Sequence, residues 1–305
     1  MHGLVWRSAV DLHHARDMGE AHDLELVLGE ERAVGNESPA GRELAHLDDE
    51  DGTPLYTITT SADGVTLRFH RLCEFHLDDG LRHAVCHRAP GTDPGFIQVL
   101  ATGMLVATVL TLRGHPVLHA SAVESGGVGL ALVGASGMGK STLATLLSQT
   151  GCAMISDDVL RVDVSKAGIL CRSGSSESRL RPAASYLDSE ESGRQTADGR
   201  HAVRAQRVSP DNVPLGVIAV PYPTRGLAAP IVELLQPAAA LRELFQFPRI
   251  VGWRDPVTNG ELFLHLGRLV RSVPVVRVRV PWQQRLDQAL GAEIRELLLA
   301  AAARA

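Results

Sequence analysis

The chain is short of lysine and has no pair of cysteines at metal-ligand spacing, and each shortage narrows what it can be. Lys140 and Lys166 are the only lysines among 30 basic residues, the rest being arginine, and no basic block stands out. With a formal net charge of −5, nucleic acid is not expected as the main partner. Cys73, Cys86, Cys152 and Cys171 are widely spaced without a C-x-x-C, so neither a zinc site nor a disulfide framework is expected, and a reducing cytoplasm fits. The N-terminus soon meets Asp11, Asp17 and Glu20 and lacks the apolar segment of a signal peptide. Ile97 to Leu112 is the one long apolar stretch; it has sixteen residues and contains Gln98, Thr102, Thr108 and Thr111. That is short for a bilayer, so a buried core helix and no membrane partner are expected. No internal repeat or low-complexity linker appears.

Against these shortages stands one strong motif. Gly134-Ala-Ser-Gly-Met-Gly-Lys140-Ser141 fits the phosphate-loop pattern G-x-x-x-x-G-K-[ST]. The apolar run Val128–Val133 before it suits a buried strand, and Thr142–Leu147 after it has helical spacing and good helix formers. In such a loop, glycines let successive N–H groups face phosphate oxygens at a helix N-terminus whose dipole favours an anion. Gly134, Ala135, Ser136, Gly137, Met138, Gly139, Lys140, Ser141 and Thr142 are therefore the candidate nucleotide-binding residues. Lys140 would supply charge to the terminal phosphates and the Ser141 hydroxyl would ligate Mg²⁺. A chain that otherwise uses arginine places a lysine where phosphate chemistry wants a compact ammonium.

The loop organises the rest. Cys152–Ser156 reads as the strand after the loop's helix and ends in Asp157-Asp158. A right-handed strand-helix-strand crossover brings both carboxylates to the loop's edge of the sheet, where they can hold Mg²⁺ or accept a proton from an attacking hydroxyl. Upstream, Leu55–Thr59, Val65–Phe69, Cys73–Leu77 and Arg82–Cys86 read as short strands, with turn signals at Asp63-Gly64 and Asp79-Gly80. Residues 1 to about 52 give no clear assignment; their His13, His14 and His22 are expected on a solvated surface. Pro94–Arg113 reads as a helix and Val117–Val123 as one strand. Residues 173–212 read as a polar, loop-rich segment carrying Asp188-Ser-Glu-Glu-Ser192, Arg179, Arg181, Arg194, Arg200, Arg204 and Arg207; both an arginine-bearing lid and an ordinary solvated loop stay open. Strands at 213–220, 231–235 and 275–280 and helices at 238–247, 260–271 and 283–303 complete the expectation. The fold class expected is α/β, a phosphate-loop (Walker A) kinase core with a mixed sheet spanning residues 93–305, behind a small β-rich N-terminal region at 1–92.

His119-Ala-Ser-Ala-Val123, the loop Gly134–Ser141 and the pair Asp157-Asp158 together resemble the catalytic domain of HPr serine kinase/phosphorylase, whose core is related to phosphoenolpyruvate carboxykinase. They look most like the shorter HPr-kinase-like proteins encoded in lasso peptide and other ribosomal peptide clusters. His119 lies 15 residues before Gly134, and the aspartates lie 17 and 18 after Lys140. Arg179-Leu-Arg-Pro182, Pro214–Ile218 and Ser272–Val276 add weaker likeness. The resemblance implies an ATP- and Mg²⁺-dependent serine kinase. Asp157 would be the base, Asp158 and Ser141 would sit at Mg²⁺, Lys140 on the phosphates, and His119 would orient or polarise the group. Glu124 falls where the family tends to be acidic, with its role open. The Gly-rich signature tied to HPr and to phosphorolysis is missing, so the implied acceptor is a serine of a ribosomally made precursor peptide. Other acceptors, a protein or small-molecule hydroxyl, remain, as does a non-catalytic ATP-binding regulatory module. The resemblance leaves a homo-oligomer open.

Overall fold

A computed structural model of the chain describes residues 1–13, 21–166, 168–188, 193–209, 212–281 and 285–304. His14, Asp17 and Glu20, residues 189–192 of the acidic run, and Gln283 lie outside them. Two compact units are present, one of Gly3–Gly114 with Ile250–Glu261 and the other of His115–Arg249 with Leu262–Ala305. The apolar helix and the segment 250–261 thus group with the first unit, whereas the sequence reading began a second domain at 93.

The first unit is built on a seven-stranded sheet of β1 (Trp6–Ser8), β2 (Leu24–Leu28), β3 (Arg42–Asp48), β4 (Pro54–Ser61), β5 (Gly64–Phe69), β6 (Cys73–Leu77) and β7 (His83–Arg88). Their order is β1-β2-β7-β6-β5-β4-β3. The four strands read from sequence are there, β6 with the bounds expected and β4, β5 and β7 with shifted ends. The unassigned N-terminal stretch supplies three more, and β1 and β2 join the sheet in parallel pairings, which no hairpin turn announces. Helix α1 (Gly95–Leu112) follows, with a π turn at Ala101–Leu105. It is 18 residues long and, by length and composition alone, apolar enough to cross a membrane. Ile97, Ala101, Leu105, Val106, Ala107, Val109 and Leu110 are fully buried. Thr102 and Thr108 return their hydroxyls to the carbonyls of Gln98 and Met104 four residues back, so these polar groups cost little in an apolar helix.

The second unit is a mixed α/β structure. Its strands are β8 (Val117–Leu118), β9 (Ala120–Ser125), β10 (Val128–Val133), β11 (Ala153–Ser156), β12 (Leu160–Ser165), β13 (Gly168–Cys171), β14 (Glu177–Leu180), β15 (Arg194–Gln195), β16 (His201–Arg204), β17 (Val213–Thr224), β18 (Ile231–Leu234) and β19 (Val275–Pro281). The helices are α2 (Lys140–Gln149), α3 (Pro237–Phe245), the part of α4 (Pro256–Ser272) from Leu262 onward, and α5 (Gln288–Ala302); the start of α4 groups with the first unit. The main sheet runs β11-β9-β10-β17-β13-β12-β8, with β18 and β19 attached beside β17. Along β10, Leu130 and Leu132 enter one apolar cluster with α2 and α5, while Ala131 and Val133 enter another with α3 and α4. A strand covered by helices on both faces must be apolar at every position, which is why Val128–Val133 is an unbroken apolar run.

Two expectations need correction. Val117–Val123 is not one strand: β8 pairs with β12 while β9 pairs with β10 and β11, and His119 sits at the change of partner. Nor is 173–212 an open loop, because β14, β16 and β15 form a small antiparallel sheet there. Leu180 of β14 is buried in the α2 cluster. β14 alternates in burial, with Ser178 and Leu180 inside, but Glu177-Ser-Arg-Leu180 has a single apolar residue, so no polar–apolar alternation marks it in the sequence.

Candidate active site

All site residues described here belong to the second unit. β10 lies antiparallel to β9, and β11 lies antiparallel to β9 on its other side. β11 therefore runs parallel to β10 one strand away, so the two C-terminal ends share one edge, as the crossover argument requires. Gly134–Gly139 connects β10 to α2. Gly137 and Gly139 have φ of +91° and +85°, left-handed values that side chains resist. Gly139 caps α2, its carbonyl accepting from Leu143 N at 2.8 Å. Met138 packs its side chain on the apolar cluster below. Ser141 and Thr142 follow in the first turn of α2.

Lys140 is 6% exposed and donates its ammonium to the Ala135 carbonyl at 3.0 Å. Burial lowers its pKa to about 8, against the raising effect of Asp158 and Asp157. A cation held this way gains most from an incoming anion, because the anion restores what desolvation removed.

The aspartates end β11, and their environments differ. Asp157 Oδ1 accepts from Ser121 Oγ at 2.5 Å and from Ser141 Oγ at 2.8 Å, and Oδ2 accepts from the Arg179 backbone N–H at 3.0 Å. Asp158 has φ +71°, and its Oδ2 accepts from Arg179 Nη2 and Arg249 Nη2, each at 2.7 Å. Its Oδ1 lies 3.5 Å from His119 Nε2. Burial opposes ionisation of Asp158, but Arg249, the His119 contact and Arg179 prevail and hold the carboxyl well below the usual carboxylate range. His119 is itself lowered, chiefly by burial, with Asp158 working against that and Lys140 and Arg249 adding to it. Near neutral pH its imidazole is uncharged.

The structure thus brings together Lys140, Ser141, Asp157, Asp158 and His119. It does not bring the Ser141 hydroxyl to Asp158, the partner expected beside it at Mg²⁺; Ser141 meets Asp157 instead. Glu124 lies at the other end of β9 from His119, where Oε1 accepts from Gly127 N at 2.6 Å and closes the β9–β10 turn. Two participants escaped the sequence reading. Ser121 lies within the His119–Val123 motif, so a signal existed. Arg249 lies 91 residues from Asp158, and no local pattern marks it.

Mg²⁺ fits this set in one respect. A hydroxyl has one proton and two lone pairs, and with the Ser141 proton on Asp157 the oxygen can still ligate a cation. Among the described residues no three His, Cys, Asp or Glu side chains converge as a metal site. A magnesium ion here would take ligands from phosphate and water, as this hard cation commonly does.

The second unit's mixed sheet and strand–loop–helix turn define the class: a mixed α/β protein in which a glycine-rich loop joins β10 to α2. No family model matches the chain, and no curated protein matches it. Among solved structures, the Hpr(Ser) kinase/phosphatase from Coxiella burnetii is matched with a TM-score of 0.33 and 12% sequence identity, over 60% of this chain and 97% of that one. Likeness at that level carries no activity across.

Proposed function

We propose that the chain is an ATP- and Mg²⁺-dependent kinase of the HPr serine kinase type that phosphorylates a serine hydroxyl of a precursor peptide. The observation that supports it most is the hydrogen bond of 2.8 Å from Ser141 Oγ to Asp157 Oδ1. It couples the loop's first helical turn to a carboxylate at the neighbouring strand end, beside a buried lysine poised to take up charge. The peptide acceptor rests on the sequence resemblance alone.

In this reading Lys140 and the amides of Gly137–Ser141 hold the phosphates, and Ser141 would ligate Mg²⁺, which would supply charge neutralisation when bound. The acceptor oxygen forms a bond to the γ-phosphorus as the bond from that phosphorus to the β,γ-bridging oxygen breaks. ADP leaves, and the hydroxyl proton passes to a carboxylate. Asp157 is the better recipient. Asp158 is neutralised by two guanidinium groups and is a weak base, since basicity falls with the pKa of the conjugate acid. Asp158 instead holds Arg179, Arg249 and His119 in place. This departs from the expectation that Asp158 shares Mg²⁺ with Ser141. Most of the catalysis is alignment and charge compensation, as phosphoryl transfer asks for little else.

The test is intact mass spectrometry of candidate precursor peptides, and of control proteins and small alcohols, after incubation with ATP and Mg²⁺ beside Lys140→Ala. A gain of one phosphoryl group on a peptide, lost in the variant, supports the reading. Phosphate gained only by a protein or small molecule overturns the peptide acceptor, and ATP binding with no transfer to anything favours the regulatory module.

A further inference from the structure

We infer that Arg181 is the arginine that grips the γ-phosphate, an inference that rests on the kinase reading above. Strand alternation sets it up. In β14, Leu180 turns into the apolar cluster beneath α2, so Arg179 before it and Arg181 after it face the other way. Arg179 meets Asp158, and Arg181 reaches the loop, where Nη2 donates to Ser136 Oγ at 3.3 Å. A Cβ on Gly137 would stand 3.4 Å from the same nitrogen, which leaves the guanidinium against the middle of the loop. Lys140 Nζ lies at the carbonyl of Ala135, the residue before Ser136. The two cations therefore converge on the Ala135–Gly137 stretch of the loop, and the loop lysine is the cation that reaches the β- and γ-phosphates.

The other arginines nearby are committed elsewhere. Arg179 and Arg249 neutralise Asp158, Arg200 and Arg194 pair with Asp198 and Glu177, and Arg207 donates to the Gly151 carbonyl. Arg181 is exposed and, among the described residues, meets a neutral hydroxyl rather than a carboxylate. Its single long contact can be exchanged for a phosphate oxygen without uncovering a buried charge. A planar fork of N–H donors suits that oxygen geometry better than a second ammonium would.

The experiment titrates a non-hydrolysable ATP analogue and ADP, each with Mg²⁺, into the full chain and into Arg181→Ala, Arg181→Lys, Lys140→Ala and Arg204→Ala, the last an exposed arginine outside the site. Arg181→Ala should weaken the triphosphate analogue about 10- to 100-fold, the span expected for a lost hydrogen bond to a charged group. ADP should change far less, Arg181→Lys should recover only part of the loss, and Arg204→Ala should match the unaltered chain. Equal loss for both nucleotides, or loss for neither, overturns the assignment of Arg181 while leaving the kinase reading intact. Nucleotide binding that Lys140→Ala does not weaken overturns the kinase reading and the assignment together.

Discussion

The positive φ of Asp158 separates two carboxylates that the sequence presents as a pair. Its left-handed backbone turns consecutive side chains to different partners, hydroxyls for Asp157 and guanidiniums for Asp158. Asp157→Asn is nearly isosteric and removes the proton-accepting charge. It should abolish transfer while leaving Mg²⁺-ATP affinity within a few-fold, read by product formation and by titration side by side; parallel loss of both would place Asp157 on the nucleotide rather than on the acceptor. A second expectation concerns Lys140, whose pKa in the free protein is about 8. Bound phosphates favour the ammonium and raise that value, so nucleotide binding takes up protons between about 8 and the higher pKa of the complex. Affinity should therefore fall as pH rises through 8, and calorimetry in buffers of different ionisation enthalpy should show proton uptake that Lys140→Ala lacks. The sequence made the identities of Lys140, Ser141 and Asp157 legible because they sit at fixed intervals within one strand-loop-helix-strand unit, and that of His119 through its spacing ahead of the loop. It could not disclose which carboxylate meets which partner, since that depends on one backbone angle.

At the scale of elements, α2 carries the loop and is held by its buried face. Leu143, Ala144, Leu146 and Leu147 enter the cluster shared with β10, β17 and α5. Leu146 is fully buried, so Leu146→Ala should cost about 2–5 kcal/mol, measured by denaturant unfolding, with Mg²⁺-ATP raising the midpoint of folded variant and parent alike. Strands buried on both faces, β10 and β17, were legible as apolar runs. His119 was placed within one strand because Val117–Val123 keeps its apolar pattern through the point where pairing switches from β12 to β10 and β11. The small sheet of β14, β15 and β16 was missed for the opposite reason: its strands are short and arginine-rich, and what identifies them is the burial of Ser178, Leu180 and Ala202.

Over the whole chain, the second unit carries every residue assigned to chemistry, and Arg249 shows what sequence reading cannot reach. It comes from the segment after α3, far along the chain from β11, and is carried to the site where Pro248 bridges to Leu118, the residue before His119. The N-terminal sheet was half legible: its hairpins carry turn signals, whereas the parallel partners β1 and β2 are joined to it through long connections that leave no local mark.

The central claim is that Gly134–Ser141 receives the phosphates of Mg²⁺-ATP. Calorimetric titration of Mg²⁺-ATP into the full chain and into Lys140→Ala tests it most directly. Saturable, Mg²⁺-dependent binding that weakens at least about tenfold in the variant is expected, from loss of one charge-assisted contact. No binding to the parent chain, or binding that the variant retains in full, would contradict it.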